Sequence, residues 1–339
     1  MRMVRILLTD RNGWNDDDFE LDEAGPDVEL DVYPNVEDVT EESWYKADGV
    51  VTYRGSRQVT SKLSEMSNVR IVVRGGVGFD GLDLAGFGAR NILVCNVPDY
   101  GTTDVADHAL AMLGYLRRGL GLHDKSMRAD MASNWRPDTH PIIKRLRGQT
   151  FGVVGLGRIG MAAARRAQGY DMKVCFYDPE LSDGYDLATG WQRMKSVEEL
   201  FASSDNVSIH TPLSPATHMM IDQGLLELMP RHGVLMNTAR GPIVNLDDLY
   251  SALKNNVIAG CALDVLPEEP PRSRHPLLDA YADRAPWLEG RLLISPHSAF
   301  YSPEGVEDMR RKSVRTAVDY LKGGVVRNCQ NAQYIQNSG

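Results

Sequence analysis

The chain has 339 residues, which is room for about two domains of ~150 residues each. Its 37 basic and 46 acidic side chains give a net charge of −9, which disfavours a protein that binds a nucleic-acid backbone through a basic face. No stretch approaches the ~20 apolar residues that a membrane helix needs, so we expect neither a nucleic acid nor a membrane among the partners.

The first hundred residues alternate short apolar strands with polar segments that suit helices. Each strand is rich in Val, Ile or Leu and ends in Gly, Pro or Asp; the five are VRILLTD, VELDVYP, DGVVTYRG, RIVVRGG and ILVCNVP. This order is typical of a parallel α/β sheet with helices between its strands. No glycine-rich phosphate-binding turn follows the first strand, so this doubly wound domain is not expected to bind a nucleotide.

A long amphipathic helix is predicted next, over TTDVADHALAMLGYLRRGLGLHDKSMRAD, because its apolar residues recur at helical spacing. Glycine weakens a helix interior, and Gly114, Gly119 and Gly121 all fall within this stretch. We therefore expect a kink or a break there.

A second alternating series begins at Gln149 and supplies six more strands: FGVVGLG, KVCFYDP, NVSIHTP, GVLMNTARG, AGCALDV and LLISPHS. Helical stretches lie between most of them, and a last helix is predicted over residues 304–322. Six strands with crossovers make one complete dinucleotide-binding sheet. We predict a Rossmann domain of residues 102–297 inserted into a flavodoxin-like domain of residues 1–101 and 298–339, both with doubly wound parallel sheets.

The turn after the first strand of this second series fits the dinucleotide fingerprint G-x-G-x-x-G, with Gly155, Gly157 and Gly160. A lone motif of this kind is often only a turn, but here a strand precedes it and a helix follows, so pyrophosphate can approach the helix N-terminus. The next strand ends in Asp178, where a carboxylate would bind the adenosine ribose hydroxyls. Asp178 would repel a 2′-phosphate, so we predict NAD(H) in preference to NADP(H).

Three residues that follow later strands suit one reaction. Arg240 offers a planar fork for a carboxylate and its neighbouring carbonyl, and His297 exchanges a proton near neutral pH. The carboxylate of Glu269 would favour the protonated imidazole. Beside a nicotinamide, this set suits reduction of a 2-oxo acid, with His297 donating the proton. Singly, each residue has a structural reading, since Arg240 could cap a helix and Glu269 could lie on a surface loop.

Neither a metal site nor a disulfide framework is expected. The other seven histidines form no H-E-x-x-H or similar spacing, and we interpret them as structural or surface groups. The four cysteines form no C-x-x-C pair, which favours reduced, mostly buried thiols in a cytoplasmic protein.

These motifs resemble the D-isomer-specific 2-hydroxyacid dehydrogenase family over nearly the whole chain. VVRGGVGFDGLDL, VPDYGTTDVADHAL, GVVGLGRIG, NTARGPIV, ALDVLPEEP and SPHSAFYS occur in the family's order. The resemblance implies Arg240 as substrate anchor, Glu269 as partner of the histidine and His297 as acid/base. It also implies a homodimer, with the helix after residue 102 at the interface.

The resemblance further implies two sets of binding residues. Asp264 is expected near the nicotinamide carboxamide, and the cofactor set is Gly155, Gly157, Arg158, Ile159, Gly160, Asp178, Thr211, Pro212, Thr238, Ala239 and Asp264. The backbone around Gly76 is expected to meet the substrate carboxylate, and the substrate set is Tyr53, Arg74, Gly76, Val77, Gly78 and Phe300.

A narrower resemblance links FYDPELSDG, HSAFYS and VVRNCQN to the C-terminal-binding-protein branch, whose animal members are NADH-sensitive corepressors. That branch has a tryptophan in place of Phe300 and a pocket tyrosine at the position of Tyr53, which implies an aromatic pocket for an apolar substrate side chain. The loop GGVGFDG departs from the corepressors' loop. A D-2-hydroxyacid dehydrogenase is therefore the first hypothesis, and an NADH-sensing scaffold with little turnover is the alternative.

Overall fold

The computed structural model describes residues 3–11, 13–14 and 18–336 and divides the chain into two compact units. Unit 1 comprises residues 1–101 and 301–339, and unit 2 comprises residues 102–300. The second boundary lies three residues beyond the one proposed from the sequence, because the loop that carries His297 belongs to unit 2 as far as Phe300.

Unit 1 is built on a parallel sheet of five strands, β1 Val4–Leu8, β2 Val28–Val32, β3 Gly49–Thr52, β4 Ile71–Arg74 and β5 Leu93–Asn96. Their order is β2-β1-β3-β4-β5, the flavodoxin-like arrangement. All five coincide with predicted strands. The inner strands are rich in Val and Ile because helices cover both faces of such a sheet; Val50 and Val72, paired across β3 and β4, are fully buried.

Four short helices lie between these strands: α1 Phe19–Ala24, α2 Glu41–Lys46, α3 Ser56–Ser61 and α4 Leu84–Ala89. Two of them begin at a side-chain cap, since Thr40 accepts a hydrogen bond from the Ser43 amide and Asp83 from the Gly86 amide. The helices bury Trp44 and Phe87 completely against the sheet.

Unit 2 contains a parallel sheet of seven strands: β6 Thr150–Val154, β7 Lys173–Tyr177, β8 Gln192–Arg193, β9 Asn206–Ile209, β10 Val234–Asn237, β11 Gly260–Leu263 and β12 Leu292–Ile294. Their order is β12-β11-β10-β9-β6-β7-β8, the Rossmann order extended by one strand. The two α/β folds predicted from the sequence are confirmed. The expected count of six strands is wrong, because it misses β8. This edge strand has two residues and is too short to give a hydrophobic pattern.

The helices of unit 2 include the broken one predicted from its glycines. Unit 2 has eight helices: α5 Thr102–Arg117, α6 Leu120–Ala129, α7 Arg158–Gly169, α8 Tyr185–Thr189, α9 Val197–Ser203, α10 Gln223–Leu228, α11 Leu246–Lys254 and α12 Pro276–Ala282. The break between α5 and α6 lies at Gly119, which has φ +61°. Across the described ranges of the chain, no helix is long and apolar enough to cross a membrane.

The chain returns to unit 1 in α13, Pro303–Gly323, which Ser302 caps by accepting a hydrogen bond from the Gly305 amide. Arg310 of this helix forms a bidentate ion pair with Glu20, at 2.8 and 2.5 Å, and both side chains are buried. Burial alone would raise the pKa of Glu20, but the hydrogen bonds and charge of Arg310 outweigh it and lower that pKa. The Tyr53 hydroxyl also donates to Glu20, at 3.0 Å.

A buried arginine connects α5 to the sheet of unit 2. Arg117 is 0% exposed, and its guanidinium donates to Asn206 Oδ1 at 2.7 Å and to the Asp205 carbonyl at 2.9 Å. Burial lowers the pKa of Arg117 to about 10, which leaves it charged at neutral pH. A buried charge is tolerated only when its hydrogen bonds are made, so this side chain ties α5 to the amino end of β9.

We expect Arg117→Met to lower the free energy of unfolding by about 3 kcal/mol, because it removes the donor to the buried Asn206 Oδ1 and leaves the Asp205 carbonyl with only the Val234 amide. Urea denaturation measures this change. The matched control is Arg118→Met at the neighbouring exposed position, which should shift stability by no more than about 0.5 kcal/mol. Equal losses in the two variants would contradict the assignment.

Candidate active site

The glycine turn after β6 is shaped by two close approaches. Gly155 has φ +89°, and a Cβ there would lie 2.8 Å from the Thr211 amide nitrogen. A Cβ on Gly160 would overlap the Gly155 carbonyl, so only glycine lets α7 pack directly on the turn. Gly157, by contrast, faces open space, since its Cβ would meet no protein atom within 4 Å. The start of α7 is therefore accessible to a ligand, and Gly157 caps it with no side-chain hydrogen bond.

Asp178 follows β7 and lies against this turn. Its Oδ2 accepts a hydrogen bond from the Leu156 amide at 2.8 Å, and its Oδ1 accepts one from the Glu180 amide at 3.0 Å. The carboxylate is half-buried and fixed by backbone donors at the end of the strand. That position fits the ribose-binding carboxylate of the dinucleotide fold.

The other predicted cofactor residues of unit 2 all follow the carboxyl ends of strands in one parallel sheet. Thr211 and Pro212 come after β9, Thr238 and Ala239 after β10, and Asp264 after β11. Thr238 is 9% exposed, and its hydroxyl has no hydrogen-bond partner among the described residues. Such an orphaned buried hydroxyl, together with the open face at Gly157, fits a polar ligand across these strand ends.

On α7 itself, Arg158 is exposed and Ile159 half-buried. Around the next strand ends, Thr211 and Ala239 are half-buried and Pro212 is exposed. The residues present therefore fit a bound dinucleotide: free helix amides for the pyrophosphate, a carboxylate for the ribose and polar strand ends for the nicotinamide half.

His297 and Glu269 form a direct pair. The His297 Nδ1 lies 2.6 Å from the Glu269 Oε2, and Glu269 Oε1 accepts a hydrogen bond from the Leu266 amide at 2.9 Å. An ionised carboxylate can only accept, so Nδ1 carries the proton in this pair. Nε2 is then the nitrogen available for proton exchange, and none of the described residues hydrogen-bonds to it.

The charge of Glu269 is stabilised by its neighbours. Burial raises the pKa of Glu269, but the hydrogen bond and charge of His297, the Leu266 amide and the charge of Arg240 together lower it below its usual value. Glu269 is therefore a carboxylate throughout the neutral range. Since Arg240 contributes to this shift, the three predicted catalytic side chains share one electrostatic environment.

The loops that carry Arg240 and Glu269 are packed together by one glycine. A Cβ on Gly241 would overlap the backbone of Leu266 and Pro267, so no larger residue fits between the loops. Arg240 Nη1 donates to the Ala239 carbonyl at 2.6 Å, and the Asn237 side chain donates to the Arg240 carbonyl at 2.9 Å. These bonds fix the Arg240 backbone at the end of β10.

Asp264 supports the loop of His297 from beneath. It is 1% exposed, and its carboxylate accepts hydrogen bonds from the Ser298 and Ala299 amides, at 2.9 and 3.0 Å, and from the Ser295 hydroxyl at 2.6 Å. The His297 amide donates to the Asp264 carbonyl at 2.7 Å. His297 itself has φ +51°, a conformation that a non-glycine residue adopts only when its surroundings hold it.

His108, interpreted from the sequence as a structural or surface group, contacts the network around Asp264. Its Nε2 lies 3.0 Å from the Ser295 Oγ and 3.7 Å from the Asp264 Oδ1, contacts that the sequence did not indicate. The Ser295 hydroxyl donates its proton to the Asp264 carboxylate, so its oxygen must accept a hydrogen bond from His108 Nε2. The VADHAL motif gives the position of His108 but carries no sign of a partner 187 residues later.

The predicted substrate residues divide between the units. In unit 2, the Phe300 ring packs edge-on against the His297 ring, with centroids 6.4 Å apart. In unit 1, Tyr53 is 2% exposed and packs against Trp14, while Arg74 Nη1 donates to the Gly75 carbonyl at 2.9 Å. The loop that follows β4 contains the remaining three, of which Gly76 is buried and Val77 and Gly78 are half-buried. Their substrate contacts stay predictions.

Within the described part of the chain, no group of three or more His, Cys, Asp or Glu side chains could hold a metal ion.

Known proteins match this chain in sequence and in fold. The sequence model described as D-isomer specific 2-hydroxyacid dehydrogenase, NAD binding domain, matches residues 110–299. A glyoxylate reductase of Korarchaeum cryptofilum is 34% identical over 271 residues, which are 79% of this chain and 78% of that protein. The D-lactate dehydrogenase of Aquifex aeolicus, solved with NAD and lactic acid, superposes with a TM-score of 0.80 at 27% identity and covers 98% of this chain and 97% of its own.

An NADPH-dependent glyoxylate/hydroxypyruvate reductase of Sinorhizobium meliloti, solved with NADP and malonate, shares the fold with a TM-score of 0.83 at 24% identity, over 99% of each chain. The family match covers more than half of the chain and contains the glycine turn, Asp178 and the Arg240, Glu269 and His297 set. The chain therefore belongs to the D-isomer-specific 2-hydroxyacid dehydrogenase family.

Proposed function

We propose that the protein is an NAD(H)-dependent oxidoreductase that interconverts a 2-oxo acid and a D-2-hydroxy acid. Family membership supports the general reaction, oxidoreduction between 2-oxo and 2-hydroxy acids. The observation that carries the proposal is the 2.6 Å contact of His297 Nδ1 with Glu269, in a site whose charge also includes Arg240. A histidine oriented by a carboxylate beside an arginine is suited to protonate a carbonyl oxygen.

In the proposed mechanism, a bound NADH would supply the hydride for the carbonyl carbon, and the residues of this chain bind and protonate the substrate. Arg240 binds the substrate carboxylate and polarises the adjacent carbonyl through its planar guanidinium. His297 donates the proton on Nε2 to the carbonyl oxygen, and the ionised Glu269 stabilises the imidazolium before transfer. Oxidation of the hydroxy acid uses the same atoms in reverse, with His297 as the base.

The substrate proposal extends to the side chain. Four candidate acids present the same carboxylate and carbonyl to Arg240: glyoxylate, hydroxypyruvate, phenylpyruvate and 4-methylthio-2-oxobutyrate. The residues of the pocket wall must therefore distinguish their side chains, and each methylene changes the binding free energy by about 1–3 kcal/mol. The names of the relatives, glyoxylate reductase and D-lactate dehydrogenase, favour a small acid. The aromatic ring of Phe300 beside His297 favours an apolar one. We assign Tyr53, Arg74 and the backbone of residues 76–78 to substrate binding as part of this proposal.

We also propose a preference for NAD(H), a homodimer and a cytoplasmic location. Asp178 supports the cofactor preference, although relatives with NAD and with NADP share the fold. Two exposed apolar side chains after α6, Met131 at 63% and Trp135 at 78%, support an interface on unit 2. Buried free thiols support a reducing compartment.

The scaffold alternative is less favoured, because the curated relatives are named as reductases. It predicts NADH binding without turnover of any 2-oxo acid, a result that would contradict the proposed enzyme.

The wild-type protein is expected to oxidise NADH with at least one of the four acids. His297→Asn should lower kcat about 10²–10⁴-fold with that acid, because the proton donor is lost, while NADH binding followed by fluorescence is unchanged. The matched control is His232→Asn, which removes another carboxylate-paired histidine, at 2.5 Å from Asp205, beside the amino end of β10. Full activity in His297→Asn would refute the assignment.

We expect Glu269→Gln to lower kcat for reduction roughly tenfold or more across the neutral range, because the variant removes the carboxylate that orients His297 and stabilises the imidazolium. Since the pKa of Glu269 is lowered, the carboxylate of the wild type is fully ionised in this range, and its advantage is lost only as the pH falls through that lowered pKa. Initial rates between pH 5 and 9 measure the ratio of wild type to variant, and Glu268→Gln at the neighbouring exposed carboxylate serves as control. Equal rates in the wild type and Glu269→Gln would contradict the role of Glu269.

Asp178→Asn is expected to raise the KM for NADH roughly tenfold or more, because hydrogen bonds to a charged acceptor contribute about 1.5–3 kcal/mol. The KM for NADPH should fall, since the variant removes a negative charge that repels the 2′-phosphate. Asparagine retains an acceptor for the Leu156 amide. Asp183→Asn, at an exposed position on the same loop, is the control, and an unchanged ratio of the two KM values in Asp178→Asn would contradict the proposal.

A further inference from the structure

The C-terminal segment of unit 1, residues 325–336, lies along the edge strand β5. Cys329 and Cys95 are directly opposite each other in an isolated antiparallel bridge. The bridge is made by the flanking residues: the Asn96 amide donates to the Asn328 carbonyl at 3.3 Å, and the Gln330 amide donates to the Val94 carbonyl at 2.8 Å.

This hydrogen-bond pattern defines the geometry of the two cysteines. Because their neighbours make the bonds, Cys95 and Cys329 are a non-hydrogen-bonded pair, with Cα atoms about 4.5 Å apart and side chains on the same face. A disulfide needs Cα atoms about 4.4–6.8 Å apart and Cβ atoms about 3.5–4.5 Å apart. The backbone therefore already has a spacing that a disulfide accepts.

The register of the bridge is held by one buried side chain. Asn331 is 0% exposed; its Oδ1 accepts from the Val94 amide, and its Nδ2 donates to the Ile92 carbonyl, both at 2.9 Å. These bonds tie the segment to β5 two residues after Cys329. A slip that would separate the cysteines would also leave Asn331 buried without partners, so the pairing is specific.

The two thiols are in contact and differ in environment. Burial, followed by the charge and the hydrogen bond of Cys329, raises the pKa of Cys95 to about 12. Cys329 is half-buried and so is the thiol that a dissolved oxidant reaches.

We propose that Cys95 and Cys329 are a redox-modification site, at which a small disulfide oxidant such as oxidised glutathione converts the two thiols into a reversible disulfide. In the first step the Cys329 thiolate attacks the oxidant, breaks its S–S bond and releases one small thiol. The Cys95 sulfur then loses its proton and attacks the Cys329 sulfur, which releases the second small thiol. The two cysteines are oxidised by two electrons, and the oxidant is reduced to two thiols.

The bond would close a loop that contains the whole of unit 2, because residues 102–300 lie between the two cysteines in sequence. A cross-link over a long loop restricts the unfolded chain strongly, so the oxidised protein should be the more resistant to unfolding. Disulfides in reducing compartments are typically transient, which agrees with a bond that forms under oxidation and is later reversed.

The test treats the full chain with oxidised glutathione and analyses it by intact mass, by non-reducing peptide mapping and by thermal unfolding. We expect a mass lower by two hydrogen atoms, a linked peptide containing Cys95 and Cys329, and a higher Tm that dithiothreitol reverses. Cys329→Ser, which keeps a donor for Asn331, should lose both the link and the Tm shift. Cys175→Ser should retain both, since Cys175 is a buried thiol whose neighbour is the Ser204 hydroxyl.

A glutathione adduct that persists on Cys329 without any linked peptide would overturn the proposal, as would a link between other cysteines or an unchanged thiol count. Cys95→Ala provides the second variant: it should retain the adduct at Cys329 but form no link. None of these measurements depends on turnover, so the outcome stands apart from that of the proposed reaction.

Discussion

The buried carboxylate of Asp264 is the constraint on which the candidate active site of unit 2 depends. This side chain accepts hydrogen bonds from two backbone amides and one hydroxyl of residues 295–299. The same segment contains His297, whose backbone has a left-handed conformation. Desolvating a carboxylate is costly unless its oxygens are satisfied, so the loop can leave this arrangement only by exposing or orphaning the charge. The orientation of the His297 imidazole toward Glu269 follows from this fixed loop.

The second constraint is steric. Parallel strands bring their carboxyl ends to one edge of the sheet, but side chains at that edge meet only if the loops approach closely. Gly241 allows the loop of Arg240 to rest on the backbone of Leu266, and Glu269 accepts the Leu266 amide. The distance between the arginine and the carboxylate is thus set by backbone packing, with the lowered pKa of Glu269 as its electrostatic result.

Much of this arrangement could be predicted from the sequence because it depends on local patterns. Apolar runs bounded by Gly, Pro and Asp located all strands but β8, and the spacing of glycines located the turn before α7. The predicted catalytic residues were chosen because each lies in the loop after a strand, and the structure places His297 beside Glu269. What could not be predicted depends on contacts between distant residues: the bond from His108 to Ser295, the support of the His297 loop by Asp264 and the pairing of Cys95 with Cys329. The cysteines were assigned as separate buried thiols because no motif marks residues that become neighbours only across a sheet edge.

The Glu20–Arg310 ion pair has a consequence for how the protein is made. The carboxylate of Glu20 is synthesised 290 residues before the guanidinium that neutralises it. While the ribosome extends the chain, the first hundred residues have their sheet but lack α13 and the edge segment along β5, whereas all of unit 2 has already emerged. Domains generally fold as units during synthesis. The inserted unit can therefore fold first, and the unit that begins the chain is completed last, when Arg310 arrives to bury its partner.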